Sequence, residues 1–203
     1  RTAVVGVQLS CLDTRHPVVG ITSTVSAEGK STIAVSLALD MARRKRVLLI
    51  DADLRRPSVA TKVGLEASGL GLSELIAGTA SVAECVVELP EVGLSVIRSG
   101  ALPKNPLDLL FSSQFEELIE DLRTSYDAVV IDTPPIELVS DALLIGRQCS
   151  GMAYVVKSRS TEVPMIRRGL ERIDEANIRL FGVMLNGHDF KQASQYYGDS
   201  SAQ

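Results

Sequence analysis

No stretch of this 203-residue chain stays apolar for long enough to span a membrane, a task that takes roughly 20 residues. No secretory leader is visible at the start of this sequence. The chain opens on Arg1 rather than methionine, which suggests a piece of a longer protein, one that could carry a membrane segment elsewhere. A basic surplus, usual in general nucleic-acid binders, is also lacking: the net charge is −4. Cysteine is scarce. Cys11, Cys85 and Cys149 stand far apart without C-x-x-C spacing, which argues against zinc or a disulfide framework and for a reducing compartment. There is no internal repeat and no interdomain linker. What remains, 45 % apolar and 23 % charged, suits one good-sized globular domain.

Short apolar runs alternate with helical patterns along that domain. Strands are expected at 18–23, 46–51, 94–98, 127–132, 152–157 and 180–185. Val47 to Ile50 and Val129 to Ile131 are apolar without alternation, as in strands covered on both faces of a parallel sheet. A helix from Ser31 to Arg44 would bury Ala34, Leu37, Ala38 and Met41, with Arg43, Arg44 and Lys45 facing its negative end. A second starts near Ser113, with Glu116 completing a capping box and Phe115, Leu118, Ile119 and Leu122 inward. A third runs from about Glu162 to Ala176, with Val163, Ile166, Leu170 and Ile173 inward and Pro164 in its first turn. The alternation predicts a doubly wound α/β domain over 1–186, with ligands at the carboxyl ends of its strands. The polar segment 187–203 reads as a tail.

Three motifs fall at such strand ends. Residues 21–32, ITSTVSAEGKST, follow a strand and open a helix. Backbone N–H groups of Ala27, Glu28, Gly29, Lys30 and Ser31 can cradle a phosphate there. Lys30 would reach the terminal phosphates and the Ser31 hydroxyl a Mg²⁺ ion, with Thr32 beside it. Thr24 stands where a phosphate loop usually opens on glycine. The second motif is Asp51-Ala52-Asp53-Leu54-Arg55-Arg56-Pro57. Residues two apart on an extended segment face one way, so Asp51 and Asp53 can both enter one site, to organise Mg²⁺ or accept a proton. By itself it would read as an acidic turn neutralised by Arg55 and Arg56. The third is Asp132-Thr133-Pro134-Pro135, an acid at a buried strand's end, suited to Mg²⁺ or its water shell. Together the three predict an Mg²⁺-nucleotide site.

The same residues resemble a known family. With Gly100 to Pro106 and the late Gly182-Val183-Met184-Leu185-Asn186, the set is similar to the cytosolic domain of the bacterial tyrosine kinases, the Wzc-like autokinases of polysaccharide export. The resemblance covers nearly the whole chain. It implies a P-loop NTPase fold akin to the MinD and ParA ATPases; the H-R-D and D-F-G triplets of eukaryotic kinases are absent. It gives Lys30 and Ser31 to phosphate and Mg²⁺, and Asp51, Asp53 and Asp132 to the metal and the incoming hydroxyl. Asp53 is the acid it sets nearest the acceptor, with Asp51 as the alternative base, and it brings Asn186 near the adenine. A strand-end asparagine in a turn before Gly187 reads nearly as well.

The family's acceptors are tyrosines of its own C-terminal tail, which here are Tyr196 and Tyr197. Tyr126 and Tyr154 fall at or in strands and are expected to pack in the core. A tail extended from Gly187 to Tyr197 spans on the order of 35 Å, enough to reach a neighbouring subunit. The resemblance further implies a homo-oligomeric ring, a membrane-embedded polysaccharide co-polymerase portion or partner, an opposing protein-tyrosine phosphatase, no nucleic acid, and a cytoplasmic place beside a bacterial inner membrane. One departure bears on the ring. Of the family's glutamate and two arginines at three-residue spacing, only Arg1 has a counterpart, since Val4 stands three residues on. Two rival readings stay open. One is a MinD/ParA-type partitioning ATPase, which usually carries an extra lysine early in the phosphate loop, where 22–28 has neither lysine nor arginine. The other is a non-catalytic, ATP-gated assembly module.

Overall fold

The computed structural model describes residues 6–7, 10–11 and 14–187. The remainder of the expected tail, with Tyr196 and Tyr197, lies outside the described residues, as do Arg1 and Val4. In chain order the elements are β1 (Val18–Ser23), α1 (Lys30–Ala42), β2 (Val47–Asp51), α2 (Val59–Lys62), α3 (Leu72–Ile76), α4 (Val82–Cys85), β3 (Val86–Leu89), β4 (Leu94–Ile97), α5 (Pro106–Leu110), α6 (Ser113–Ser125), β5 (Ala128–Asp132), α7 (Asp141–Gln148), β6 (Gly151–Lys157), α8 (Val163–Glu175) and β7 (Leu180–Asn186). The strands form one seven-stranded sheet in the order β3-β4-β2-β5-β1-β6-β7. Every pairing is parallel except β3 with β4.

Every residue of β1, β2 and β5 is buried, which explains the unbroken apolar runs Val47 to Ile50 and Val129 to Ile131. Successive side chains point to opposite faces. Val19, Ile21, Leu49 and Val130 pack against Ala34, Leu37, Ala38 and Met41 of α1. Val18, Leu48, Ile50, Val129 and Ile131 meet Phe115, Ile119 and Leu122 of α6 and Ile145 of α7. A smaller cluster joins Met152 and Tyr154 of β6 to Ile173 of α8. Each fully buried Leu or Ile contributes about 1.5–3 kcal/mol, so the central strands anchor whatever their ends carry.

The register sets the site. Asp51 of β2 lies opposite Asp132 of β5, and Ile21 of β1 pairs with Asp132 on the other side. The chain leaves β1 towards β2 and leaves β5 towards β6, so the crevice opens at their carboxyl ends.

Local expectations shift in four places. The N-cap of α6 is Ser112, whose side chain accepts from the Phe115 N–H, so the Ser113–Glu116 box is not formed. Helix α1 ends at Ala42, leaving Arg44 and Lys45 beyond its last turn. Val163, expected inward, is 66 % exposed at the first position of α8. Strand β3 was not expected; its short, half-buried sequence runs straight on from α4. Among the described residues no helix is long and apolar enough to cross a membrane.

Candidate active site

The loop between β1 and α1 turns through two left-handed residues, Ala27 at φ 65° and Gly29 at φ 94°. Ala27 holds a conformation costing a non-glycine residue about 1–2 kcal/mol, so its surroundings must impose it. Ser26, Ala27, Gly29, Lys30, Ser31 and Thr32 line a cleft of about 260 Å³, faced by Asp53, Arg56, Ser58 and Lys62. Thr24, at the position of the missing glycine, is buried, and its Oγ1 accepts a 3.0 Å hydrogen bond from the Tyr154 hydroxyl. Tyr154 is thus a core residue, as expected, with its polar end fixing the start of the loop; Tyr126 is half-buried.

Glu28 does not line the cleft. Its side chain turns inward and is 1 % exposed. One carboxylate oxygen accepts from the Val25 N–H at 2.8 Å. The other accepts from the Lys157 N–H at 3.0 Å and from the Thr161 hydroxyl. The acid therefore ties the loop to itself and to the segment between β6 and α8. Asn186 adds a clamp from the end of β7: its Nδ2 donates to the Glu28 carbonyl at 2.8 Å, and its Oδ1 accepts from the Gly187 N–H at 2.9 Å. A Cβ at Gly29 would stand 2.2 Å from that Nδ2, so the loop and the clamp together require glycine there.

Lys30 is buried among acids at the root of the cleft. Its Nζ lies 3.0 Å from Asp53 Oδ2 and 3.4 Å from Asp132 Oδ2, and donates to Ser31 Oγ at 3.2 Å. Burial by itself would lower the lysine's pKa, but Asp132, Asp53 and Asp51 outweigh it and the ammonium is favoured. Burial pushes Asp132 up to about 7, with Lys30 opposing. Asp53 faces the cleft and also caps its own turn, its Oδ1 accepting from the Arg56 N–H at 3.0 Å. Asp51 is differently engaged. Its Oδ2 accepts from the N–H groups of Ser58 and Val59 at 2.9 and 2.8 Å, and its Oδ1 from the Asp53 N–H at 3.3 Å. Burial still raises its pKa over the effect of those donors. The structure thus gathers Lys30, Ser31, Asp53 and Asp132 at one point and sets Asp51 behind them as a brace.

Two supports were not legible beforehand. Arg55 grips Asp141, the first residue of α7, through Nε and Nη2 at 2.8 and 3.1 Å, and Asp141 is fully buried. After Asp132 the chain runs beside the phosphate loop: the N–H groups of Thr133, Ile136 and Glu137 donate to the carbonyls of Ile21, Ser23 and Thr24. The prolines at 134 and 135 sit between these contacts, where no N–H is needed.

A parallel-dominated sheet with a strand–loop–helix cradle, an invading lysine and acids on neighbouring strand ends is the architecture of a P-loop NTPase. A family model described as an AAA domain matches residues 18–155. The chain is 36 % identical over 97 % of its length to tyrosine-protein kinase YwqD of Bacillus subtilis strain 168, covering 83 % of that protein. It is 33 % identical over 91 % of its length to tyrosine-protein kinase CpsD of Streptococcus agalactiae, covering 80 % of it. Against tyrosine-protein kinase wzc of Salmonella typhi it is 32 % identical over 97 % of its length, but spans only 27 % of that protein. Among solved structures, the VpsO kinase domain superposes with a TM-score of 0.85 at 37 % identity, over 93 % of this chain and 95 % of that one. The MinD protein of Pyrococcus horikoshii shares the fold, at a TM-score of 0.72 and 19 % identity over 89 % of this chain and 76 % of its own. The chain belongs to the bacterial tyrosine-protein kinase family.

Proposed function

We propose that this protein transfers the γ-phosphate of Mg²⁺-ATP to tyrosine, and that its acceptors are Tyr196 and Tyr197 of a neighbouring copy's tail. The observation that carries this reading is the meeting of Lys30 with Asp53 and Asp132 at the root of a cleft floored by a phosphate loop. In it, the N–H groups of the loop and Lys30 hold the phosphates, and Asp53, which faces the open cleft, takes up the tyrosine hydroxyl and its proton. Ser31 and Asp132 offer hard oxygen donors that suit magnesium. No cluster of three or more acidic, histidine or cysteine side chains able to hold a metal occurs among the described residues, so phosphate oxygens and water would complete the shell. The ion would neutralise charge on the phosphates as the bond to the leaving oxygen breaks. Asp51 braces the turn that presents Asp53, and Asn186 and Glu28 shape the loop. Within a membrane-associated assembly, such self-phosphorylation would regulate the polymerisation and export of an extracellular polysaccharide, with a phosphatase reversing it.

Labelled ATP given to the purified chain tests this. Phosphotyrosine should form, Lys30→Met should abolish it, and Tyr196→Phe with Tyr197→Phe should remove most of it. Undiminished labelling of the double tail variant overturns the acceptor assignment. Free phosphate released without any phosphotyrosine would favour a MinD/ParA-like ATPase.

A further inference from the structure

The cleft carries two cations that the phosphate chemistry leaves unused. Arg56 and Lys62 line it together with Lys30, Asp53 and Ser58, and both are exposed. Neither side chain makes an ion pair or hydrogen bond among the described residues. The contrast with the preceding residue is instructive: Arg55 is spent on Asp141, while Arg56 is left free. In a chain of net charge −4, two unpaired cations at the mouth of a cleft are not a consequence of bulk composition. In the kinase reading Lys30 and the loop N–H groups meet the phosphates from within, which leaves the outer pair for something else that is negative.

The placement says what. Asp53 and Arg56 belong to one turn, closed by the 3.0 Å bond between the Arg56 N–H and Asp53 Oδ1. Lys62 follows on α2, four residues from Ser58 and on the same side of that helix. A tyrosine that brings its hydroxyl to Asp53 must carry its flanking backbone across this turn. In an extended peptide, residues two apart face the same way and lie about 7 Å apart. In this chain the residue two beyond Tyr197 is Asp199.

We propose that Arg56 and Lys62 form a subsite for an acidic side chain following the acceptor tyrosine, and so select acidic-flanked tyrosines. This rests on the kinase reading above. The test uses the full chain and peptides with the sequences Tyr-Gly-Asp, Tyr-Gly-Asn and Tyr-Gly-Lys at the acceptor, with kcat/KM for phosphotyrosine formation and KM for ATP measured separately. The aspartate peptide should exceed the asparagine peptide by roughly 3- to 10-fold, the range of a pair of exposed ion pairs, and the margin should shrink with salt. Arg56→Ala with Lys62→Ala should erase it, and Arg56→Glu with Lys62→Glu should turn the preference towards the lysine peptide. Retained discrimination in the double alanine variant overturns the proposal. So does a raised KM for ATP with discrimination intact, which would give the cations to nucleotide phosphate. No phosphotyrosine on any peptide would overturn the kinase reading itself and this proposal with it.

Discussion

Replacing Glu28 by alanine removes a buried carboxylate that accepts three hydrogen bonds, from the Val25 and Lys157 N–H groups and the Thr161 hydroxyl. Two backbone N–H groups then lose their partner, each at a cost of about 1–3 kcal/mol, offset in part by relief from burying a charge. The loop also loses what holds Ala27 in its left-handed conformation. Re-fixing a fully freed residue costs about 1–2 kcal/mol, and Val25 to Glu28 are loosened only in part, so a penalty of about 2–3 kcal/mol on phosphate binding is expected. That corresponds to about 30- to 150-fold weaker ADP binding, measured by titration with a fluorescent ADP analogue. The nucleotide-free melting temperature should fall by about 5–10 °C. Glu28→Gln keeps one acceptor oxygen and turns an NH₂ towards the other donor, so it should fall between wild type and alanine. Thr161→Val should weaken ADP binding less than either. ADP affinity within twofold of wild type for Glu28→Ala would refute the idea that this acid shapes the cradle.

Other perturbations follow from the same geometry. Asp132 has its pKa raised by burial from 3.8 to about 7, so its contribution to stability is complete below about pH 4 and lost as pH rises through about 7, up to about 4 kcal/mol in all. Asp132→Asn should therefore flatten the fall in melting temperature of the nucleotide-free protein between about pH 5 and about pH 8; parallel curves would contradict this. Gly169→Ala adds a Cβ 2.1 Å from the Tyr154 hydroxyl and 3.0 Å from Ile136; overpacking should outweigh the helix-propensity gain by about 1–2 kcal/mol in urea denaturation, and Tyr154→Phe in the same chain should recover most of it. Arg55→Ala strands the fully buried Asp141 and should cost about 2–3 kcal/mol, discounted for the arginine's partial exposure; lysine should not restore it, since it cannot make the two-pronged contact.

The sequence spoke most clearly where one strand's burial decided everything. All six expected strands form, and β2 and β5 lie where unbroken apolar runs put them, because residues such as Leu48 and Leu49 can be buried together only in a sheet covered on both faces. The missed elements are short or mixed. Helices α2 to α5 have four or five residues each, too few for a periodic pattern. Strand β3 pairs antiparallel at an edge, where Val86, Val87 and Leu89 are only half-buried. In the site, Lys30, Ser31 and the strand-end acids were legible because motif and register act together. The direction of Glu28 was not, since its partners Lys157 and Thr161 lie more than a hundred residues away, at 129 and 133. Nor was Arg55, which as a neighbour of two acids reads as their counter-charge; its partner Asp141 comes from a helix the sequence concealed.

The lack of lysine and arginine from Thr22 to Glu28 has a physical counterpart in this division of labour. The loop's acid is turned into the core, so the loop presents backbone N–H groups and one cation, Lys30, which the acids hold in place. The cleft's other cations come from the segment after β2. That segment is fixed at its base: Asp51 binds the N–H groups of Ser58 and Val59, and Arg55 binds Asp141. Arg56 and Lys62 project from this rigid base without being needed to build it. Charge there can change without disturbing the cradle, whereas a change at Glu28, Gly29 or Asn186 cannot avoid it. That separation lets the recognition of an acceptor be tuned without touching the residues that hold phosphate.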